Sequence, residues 1–510
     1  MEDITLSLYT SISILFLFLT LFKFHLSKTS HRNLPPSPPY ALPFLGHLYR
    51  LKQPIHRVFY SLSQNYGPII SLKLGSRLTV IVSSPSAVEE CFTKNDVVLA
   101  NRPEFILSKY VHYNHNNIIS VPYGDHWRNL RRIGTIEIFS TNRLNVFISS
   151  RKDETKQLLS DLYRRGGQEF TRVELKPMFT NATFNVVMQM VAGKRYYGDD
   201  VSNADQARQF REIIEEIFSY GGISNLEDFF PILRWINGGK LEKKLKILSK
   251  KTDKFLQVLI DEHRSKKKGL ASVRTLIDRL LSLQESEPNH YKDEVIKGLI
   301  LVILLAGTDT ATVTLEWAMA SLVNYPDILH KAKTEIDLQI GQERLLEESD
   351  LPNLPYLQNI ISETLRLYPA GPLLVPHYSS SDCIIGGYNI PKNTIVLINA
   401  WAIHRDPTIW DDPSSFRPER FEAYYKHGDH HAYNFIPFGT GRRACPGIGL
   451  AQRVLGLTIG SLIQCFEWKR VDEKLVDMSE GKGISMPKAE PLEVMCKART
   501  IMNKVLAEVS

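Results

Sequence analysis

The sequence is short of the features that mark several large protein classes. Its 510 residues contain five cysteines, Cys91, Cys383, Cys445, Cys465 and Cys496, which are odd in number, widely spaced and without a C-x-x-C pair. That pattern excludes a disulfide framework or a zinc ribbon and makes a reducing compartment the default. There is no internal repeat and no long low-complexity tract. No G-x-G-x-x-G follows a strand, so the chain has no nicotinamide or flavin fingerprint of its own. Nor does one sign of charge dominate: 62 Lys and Arg against 55 Asp and Glu leave a formal +7. Spread along the chain, this is too weak to imply nucleic acid. What remains is 43% hydrophobic and 23% charged, an ordinary globular composition that excludes wholesale disorder, collagen and coiled coil.

Residues 4–22 are present as a run of 19 without a charge, rich in Leu, Ile and Phe. At 1.5 Å per residue the run just spans a hydrocarbon core of roughly 30 Å. A cleaved signal peptide would need a basic start and a small-residue cleavage site. Here Glu2 and Asp3 precede the run, while Lys23, Lys28 and Arg32 follow it. A retained anchor is therefore the better reading, with the rest of the chain cytosolic. Leu34-Pro35-Pro36-Ser37-Pro38-Pro39 then reads as a stiff spacer and hinge. Division follows as an anchor over 1–30, a proline-rich hinge over 31–46, and one large unit over 47–510. With this topology the sequon at Asn181 stays unglycosylated.

Helical periodicity dominates, as in 206–219, 241–263, 293–325 and 356–368, and short β-like stretches occur at 69–74, 78–82 and 394–398. Residues 263–269 read as a solvated loop. The fold class is mainly α with a minor β-sheet.

The most informative segment is Phe438-Gly439-Thr440-Gly441-Arg442-Arg443-Ala444-Cys445-Pro446-Gly447. Its glycines let backbone approach a flat ligand or adopt positive φ. Cys445 precedes an apolar helical pattern over 448–462, where unpaired amides and the helix dipole favour thiolate over thiol. Such a thiolate suits axial ligation of heme iron. Arg443 is placed to pair with a heme propionate. The four other cysteines lack this context and read as small buried hydrophobes.

On these residues the chain resembles the cytochrome P450 monooxygenases, and the resemblance runs over essentially its whole length. Leu99-Ala100-Asn101-Arg102-Pro103, Gly193-Lys194-Arg195-Tyr196-Tyr197-Gly198 and Ala402-Ile403-His404-Arg405-Asp406-Pro407 are similar to plant endoplasmic-reticulum members of the branch with isoflavone hydroxylases and lignan-modifying enzymes. The resemblance implies a P450 fold behind one transmembrane anchor, with residues 47–510 as a cytosolic heme-thiolate catalytic domain. It implies heme b as cofactor, held by Cys445. Its electrons would come from NADPH through a separate flavoprotein, the NADPH-cytochrome P450 reductase.

Residues 301–320 read as a buried helix on which Ala306, Gly307, Thr310, Ala311 and Thr314 share a face of small side chains. That stripe accepts either a flat ligand or a neighbouring helix. Cleaving dioxygen needs two protons, and a hydroxyl–water–carboxylate relay delivers them. The resemblance assigns Thr310 to the relay and Asp309 to proton supply, although family members often carry Thr or Ser where this chain has Ala311.

Trp127 and Arg131 stand at i, i+4, and the resemblance implies that they hold a propionate. His377 is read equally as a partner in that task or as a satisfied core histidine. Glu363 and Arg366 form an E-x-x-R pair. A helical wheel sets Leu357, Ile360, Ile361, Thr364 and Tyr368 opposite them, so periodicity alone makes the pair an exposed one. The resemblance reverses this and buries it with Arg420. Arg128 and Arg132 read either as a docking patch for an acidic partner or as a solvated face.

The pocket is expected from the loop after residues 101–103, from 302–306, 370–375 and 483–486, all mainly apolar, which suits a lipophilic small molecule. Phenolic isoflavonoid, flavonoid, lignan or xanthone types lead, with terpenoids behind. Hydroxylation, phenol coupling and methylenedioxy-bridge closure share the same motifs. The rivals are a redox-neutral peroxide-rearranging enzyme, which has no need of Asp309-Thr310, and a non-catalytic heme scaffold.

Overall fold

The computed structural model describes residues 10, 13–14, 16–17, 33–167, 169–198, 204–221, 225–266, 275–426 and 432–507. Most of the expected anchor lies outside the described residues; those of it that are described, Thr10, Ser13, Ile14, Phe16 and Leu17, are helical. The principal helices are α1 (Ile55–Tyr66), α2 (Pro85–Phe92), α3 (Asp125–Ile133), α4 (Ile148–Gly166), α5 (Lys176–Ala192), α6 (Ala204–Tyr220), α7 (Lys240–Lys266), α8 (Leu276–Ser286), α9 (Asp293–Asn324), α10 (Pro326–Gln339), α11 (Pro355–Leu367) and α12 (Ile448–Cys465).

Sheet is the minor component. β1 (Ile69–Leu74), β2 (Arg77–Val82), β4 (His377–Tyr378) and β7 (Ile395–Ile398) form a four-stranded sheet in the order β1-β2-β7-β4, with β2 and β7 parallel. β3 (Thr171–Glu174), β9 (Glu493–Ala498) and β8 (Phe466–Lys469) make a second sheet, and β5 (Cys383–Ile385) pairs with β6 (Tyr388–Ile390). The helices and strands expected from periodicity match the structure to within three residues at each end.

α9 is apolar on every side, which is the signature of a helix buried all round. It starts on Asp293 and Glu294, whose charges complement the helix dipole, and it packs against α5, α11 and α12. α9 and α12 are each long and apolar enough to cross a membrane, but most of each is buried inside the protein. They are core helices. The largest core cluster joins them with α4, α5, α10, α11 and the second sheet.

The proline stretch is fastened to β1: the Pro35 and Pro36 carbonyls accept hydrogen bonds from the Ser71 hydroxyl and amide, both at 2.8 Å. His47 fastens the same segment, lying 2.9 Å from the Pro38 carbonyl and accepting the Lys73 amide at 3.0 Å. The loop expected at 263–269 begins later. α7 runs to Lys266, and His263 is buried against Asp278 and the Ala192 carbonyl; residues 267–274 lie outside the described residues. Asn181 sits inside α5 and accepts a hydrogen bond from Arg211, a placement unsuited to a glycan.

Candidate active site

The cysteine loop is built on two left-handed glycines. Gly439 and Gly441 have φ of +68° and +71°. At Gly441 a Cβ would also fall 2.6 Å from an Asp96 carboxylate oxygen and 2.9 Å from the Phe92 ring, so no side chain fits there. The turn closes through the Cys445 amide donating to the Phe438 carbonyl at 2.9 Å, and Arg442 ties it to Asp96 at 3.1 Å.

Cys445 is solvent-exposed, in contrast to the buried Cys91, Cys465 and Cys496. Protein nonetheless crowds the residue, and this burial pushes its thiol pKa up; the Gly447 amide and the Arg131 charge pull the other way without prevailing. The expected helix-terminus stabilisation of thiolate is present but outweighed. A metal held here would favour the deprotonated sulfur.

Three guanidiniums converge beside the loop. Arg443 donates to the carbonyls of Ala100, Ile118 and Val121 at 2.7, 3.0 and 2.6 Å. Arg131 donates to the Ala444 carbonyl at 2.7 Å. Arg102, which the sequence reading placed only in a pocket loop, donates to the carbonyls of Ile119, Val375 and Pro376. Among the described residues, none of the three has a carboxylate within ion-pair distance. Burial lowers the pKa of each, that of Arg443 to about 9, and Arg131 lowers Arg443 further just as Arg443 lowers Arg102. Uncompensated buried charge of one sign is costly. The cluster fits a dianion, and a heme carries two propionates.

Trp127 lies under Arg443, whose guanidinium carbon is 4.5 Å from the ring centroid, and its indole N–H donates to the Ile118 carbonyl at 3.3 Å. His377 is buried, with Nδ1 2.8 Å from the Leu99 carbonyl and its ring edge-on to Phe92. Burial, then Arg102, drive its pKa well below the ordinary value, so it stays neutral and adds no cation.

On α9 the small-residue face divides. Ala306 and Thr310 are exposed although their neighbours are buried or half-buried. The Thr310 hydroxyl donates to the Ala306 carbonyl at 2.7 Å, the back-bonded arrangement expected there. Gly307 instead admits Val187 of α5, where a Cβ would stand 3.0 Å from a Val187 methyl, and Ala311 packs with Leu450 and Val454 of α12. For those residues and the buried Thr314 the helix-packing alternative holds. Burial raises the pKa of Asp309, against a hydrogen bond from Ser485 and the charge of Lys176, and its Oδ2 is buried without a partner.

The Glu363–Arg366 pair is not exposed, contrary to the helical wheel. Both side chains are fully buried and joined by two hydrogen bonds of 2.6 and 2.8 Å; Arg420 adds a third to Glu363 at 2.9 Å. The remaining Arg366 donors go to the carbonyls of His404, Pro413 and Ser415. Segments remote in sequence cover the face that periodicity left open. Arg128 and Arg132 are exposed on α3, where Arg128 pairs with Asp125. A separate cavity of about 440 Å³, lined by Ile361, Leu365, Phe438, Ile448 and Gln452 among others, lies between α11 and α12 and includes neither Cys445 nor any residue of α9.

Comparisons with known proteins agree with this geometry. A family model described as Cytochrome P450 matches residues 35–493. A cytochrome P450 of Catharanthus roseus is 56% identical over 512 residues, covering 100% of both chains. The isoflavone 3'-hydroxylase of Medicago truncatula is 54% identical, covering 96% of this chain and 97% of the relative. A (+)-piperitol/(+)-sesamin synthase of Sesamum radiatum is 50% identical, covering 95% and 94%. Among solved structures, a zebra fish cytochrome P450 with progesterone matches at a TM-score of 0.74 and 27% identity, covering 88% of this chain and 100% of that one.

Proposed function

The chain belongs to the cytochrome P450 family, and from that premise we propose that Cys445 ligates the heme iron and that the substrate is a lipophilic phenolic plant metabolite. The protein is a heme monooxygenase with the P450 fold, and its cofactor is a heme ligated by a cysteine thiolate. When bound, that heme activates dioxygen, so that one oxygen atom enters the substrate and the other leaves as water, at a cost of two electrons and two protons.

The chain's own residues do the positioning. Gly447 and Arg131 stabilise the Cys445 sulfur once its proton has left. Arg102, Arg131 and Arg443, with the indole of Trp127, hold the propionates, while His377 serves as a satisfied neutral core histidine beside Arg102. Thr310, exposed on α9, offers its hydroxyl and Asp309 supplies protons behind it. Glu363, Arg366 and Arg420 hold the frame. The observation that carries this reading is the convergence on the loop of the exposed cysteine of three guanidiniums, Arg102 buried and Arg131 and Arg443 half-buried, without a carboxylate partner among the described residues.

The phenolic class rests on the names of the relatives, one an isoflavone hydroxylase and one a lignan synthase. The synthase also favours a second reading, methylenedioxy-bridge closure on a lignan. The electron donor is a separate NADPH-cytochrome P450 reductase. Residues 1–30 anchor the protein once in the endoplasmic-reticulum membrane, residues 31–46 link it, and the domain over 47–510 faces the cytosol. The test is turnover by membranes holding this protein and the reductase, offered isoflavonoid, lignan and terpenoid panels. NADPH-dependent oxidation of a phenolic is expected. Turnover of terpenoids alone would overturn the substrate class, and turnover without NADPH would overturn the oxidative mechanism.

A further inference from the structure

Three of the polar side chains of α9 line up. Asp309, Thr312 and Glu316 stand at i, i+3 and i+7, on one side of the helix. Glu316 is fully buried; its Oε1 accepts the Leu492 amide at 2.9 Å and its Oε2 has no partner. Asp309 repeats the arrangement two turns earlier, bonded by Ser485 with a buried, unpartnered Oδ2. Between them the hydroxyls of Thr312 and of Thr183 on α5 lie 2.9 Å apart, both residues buried. Thr183 donates to the Phe179 carbonyl at 2.8 Å, which makes Thr312 the donor of the pair. Lys176, seven residues before Thr183 on α5 and half-buried, acts on both carboxylates.

The other groups facing Glu316 are Glu174 on β3 and Lys488, whose ammonium donates to the Asp477 carbonyl and lies 4.8 Å from the Trp317 ring centroid. Burial raises the pKa of both carboxyls, against the amide and ammonium groups around them. Holding the Leu492 amide requires only one oxygen, and a glutamine would serve. A carboxyl oxygen left without a partner in the interior is costly. What glutamate has and glutamine lacks is a titratable proton.

We propose that Glu316 and the Thr312–Thr183 hydroxyl pair form a buried proton path that resupplies Asp309 from solvent at the Lys176 end of α5. The inference rests on the proton-supply role of Asp309 proposed above. In each transfer the Thr312 hydroxyl turns from Thr183 to Asp309 Oδ2 and gives up its proton there. It takes one from Glu316 through bridging water and turns back to its resting partner Thr183, while Glu316 recovers its proton from solvent. Each group then returns to its starting state, and no electron moves along the path. Glu316 is a positioning and relay residue that touches neither substrate nor cofactor.

The experiment uses the full-length, heme-loaded protein with its reductase. Glu316→Gln keeps an acceptor for Leu492 and should fold and load heme normally. In the resting enzyme it should lose one component of the protonated-carboxyl infrared band that shifts in deuterated water. Product formed per NADPH should fall several-fold, with a larger solvent deuterium isotope effect. Thr312→Val should give the same coupling defect while keeping the band, and Glu316→Asp should restore the band and part of the coupling. Wild-type coupling and isotope effect in both Glu316→Gln and Thr312→Val would overturn the path. Asp309→Asn separates the two levels of the argument. If it uncouples turnover while the other variants do not, only the path fails; if it too behaves as wild type, the reading of Asp309 fails. Should Glu316→Gln not fold, Thr312→Val decides alone.

Discussion

The molecule buries two groups of arginines and treats their charge in opposite ways. Around Glu363 the charge is closed within the fold. Arg366 and Arg420 share one carboxylate, and the spare guanidinium donors reach backbone carbonyls. Around the cysteine loop the charge is left open. Among the described residues, Arg102, Arg131 and Arg443 meet carbonyls and the ring of Trp127 and no carboxylate, and Arg131 lowers the pKa of Arg443 as Arg443 lowers that of Arg102. Closed networks hold a fold; an open one is completed by something that is not protein. The same residue type is thus structural in one place and ligand-binding in the other, and the difference lies in where the counter-charge comes from.

The comparison can be broken first at the closed network. Arg366→Ala strands a buried carboxylate and should lower stability by about 3–5 kcal/mol, read as a fall in thermal midpoint and in heme-loaded yield. A fully loaded variant with wild-type melting would erase the distinction. A second closed site sharpens it by pH. Burial pushes the Glu480 carboxyl up, but His56 at 2.8 Å and Arg57 outweigh this and hold its pKa at about 2. A depressed carboxylate stabilises the fold above its unfolded pKa and loses that contribution as the pH falls through the folded value. The drop from 4.5 to about 2 corresponds to on the order of 3 kcal/mol at neutral pH. Acid denaturation of the wild type should show this loss between roughly pH 5 and pH 2, and Glu480→Gln should lack it.

At the open cluster the expected pattern inverts. Arg443→Met should change the stability of heme-free protein by less than about 1 kcal/mol, because relief of unpaired charge offsets the carbonyl bonds lost. It should release heme to apomyoglobin roughly tenfold faster, for the loss of one charge-assisted bond. A stability loss equal to that of Arg366→Ala would show the cluster to be closed after all. Smallest is Trp127→Phe, which keeps a ring beneath Arg443 and removes the indole donor to Ile118. A change of about 0.5–1 kcal/mol in heme retention is expected.

Local pattern carried much of this. The bounds of α9 and α11, the strands β1, β2 and β7, and the glycine turn around Cys445 are all set by short-range chemistry that a sequence displays. What stayed hidden depends on distant partners. The wheel of α11 points Glu363 and Arg366 outward because the segments that bury them, 404–420, are remote in sequence. Arg102 finds its carbonyls at residues 119, 375 and 376. The only local sign was a cation set in an apolar stretch. The sequence opens Gly307 and Ala311 to a flat ligand or a helix, with Asp309-Thr310 favouring the ligand, whereas Val187 and Leu450 occupy the space. Glu316 belongs to no local motif, and the amide it accepts, that of Leu492, is remote in sequence.

The central claim is that the exposed cysteine of the open cluster ligates the iron. The direct measurement is the carbon monoxide difference spectrum of reduced, purified wild-type and Cys445→Ser protein. The account predicts the red-shifted Soret band of a thiolate-ligated heme in the wild type and its loss in the variant. A wild type without that band, or a variant that keeps it, would contradict the account.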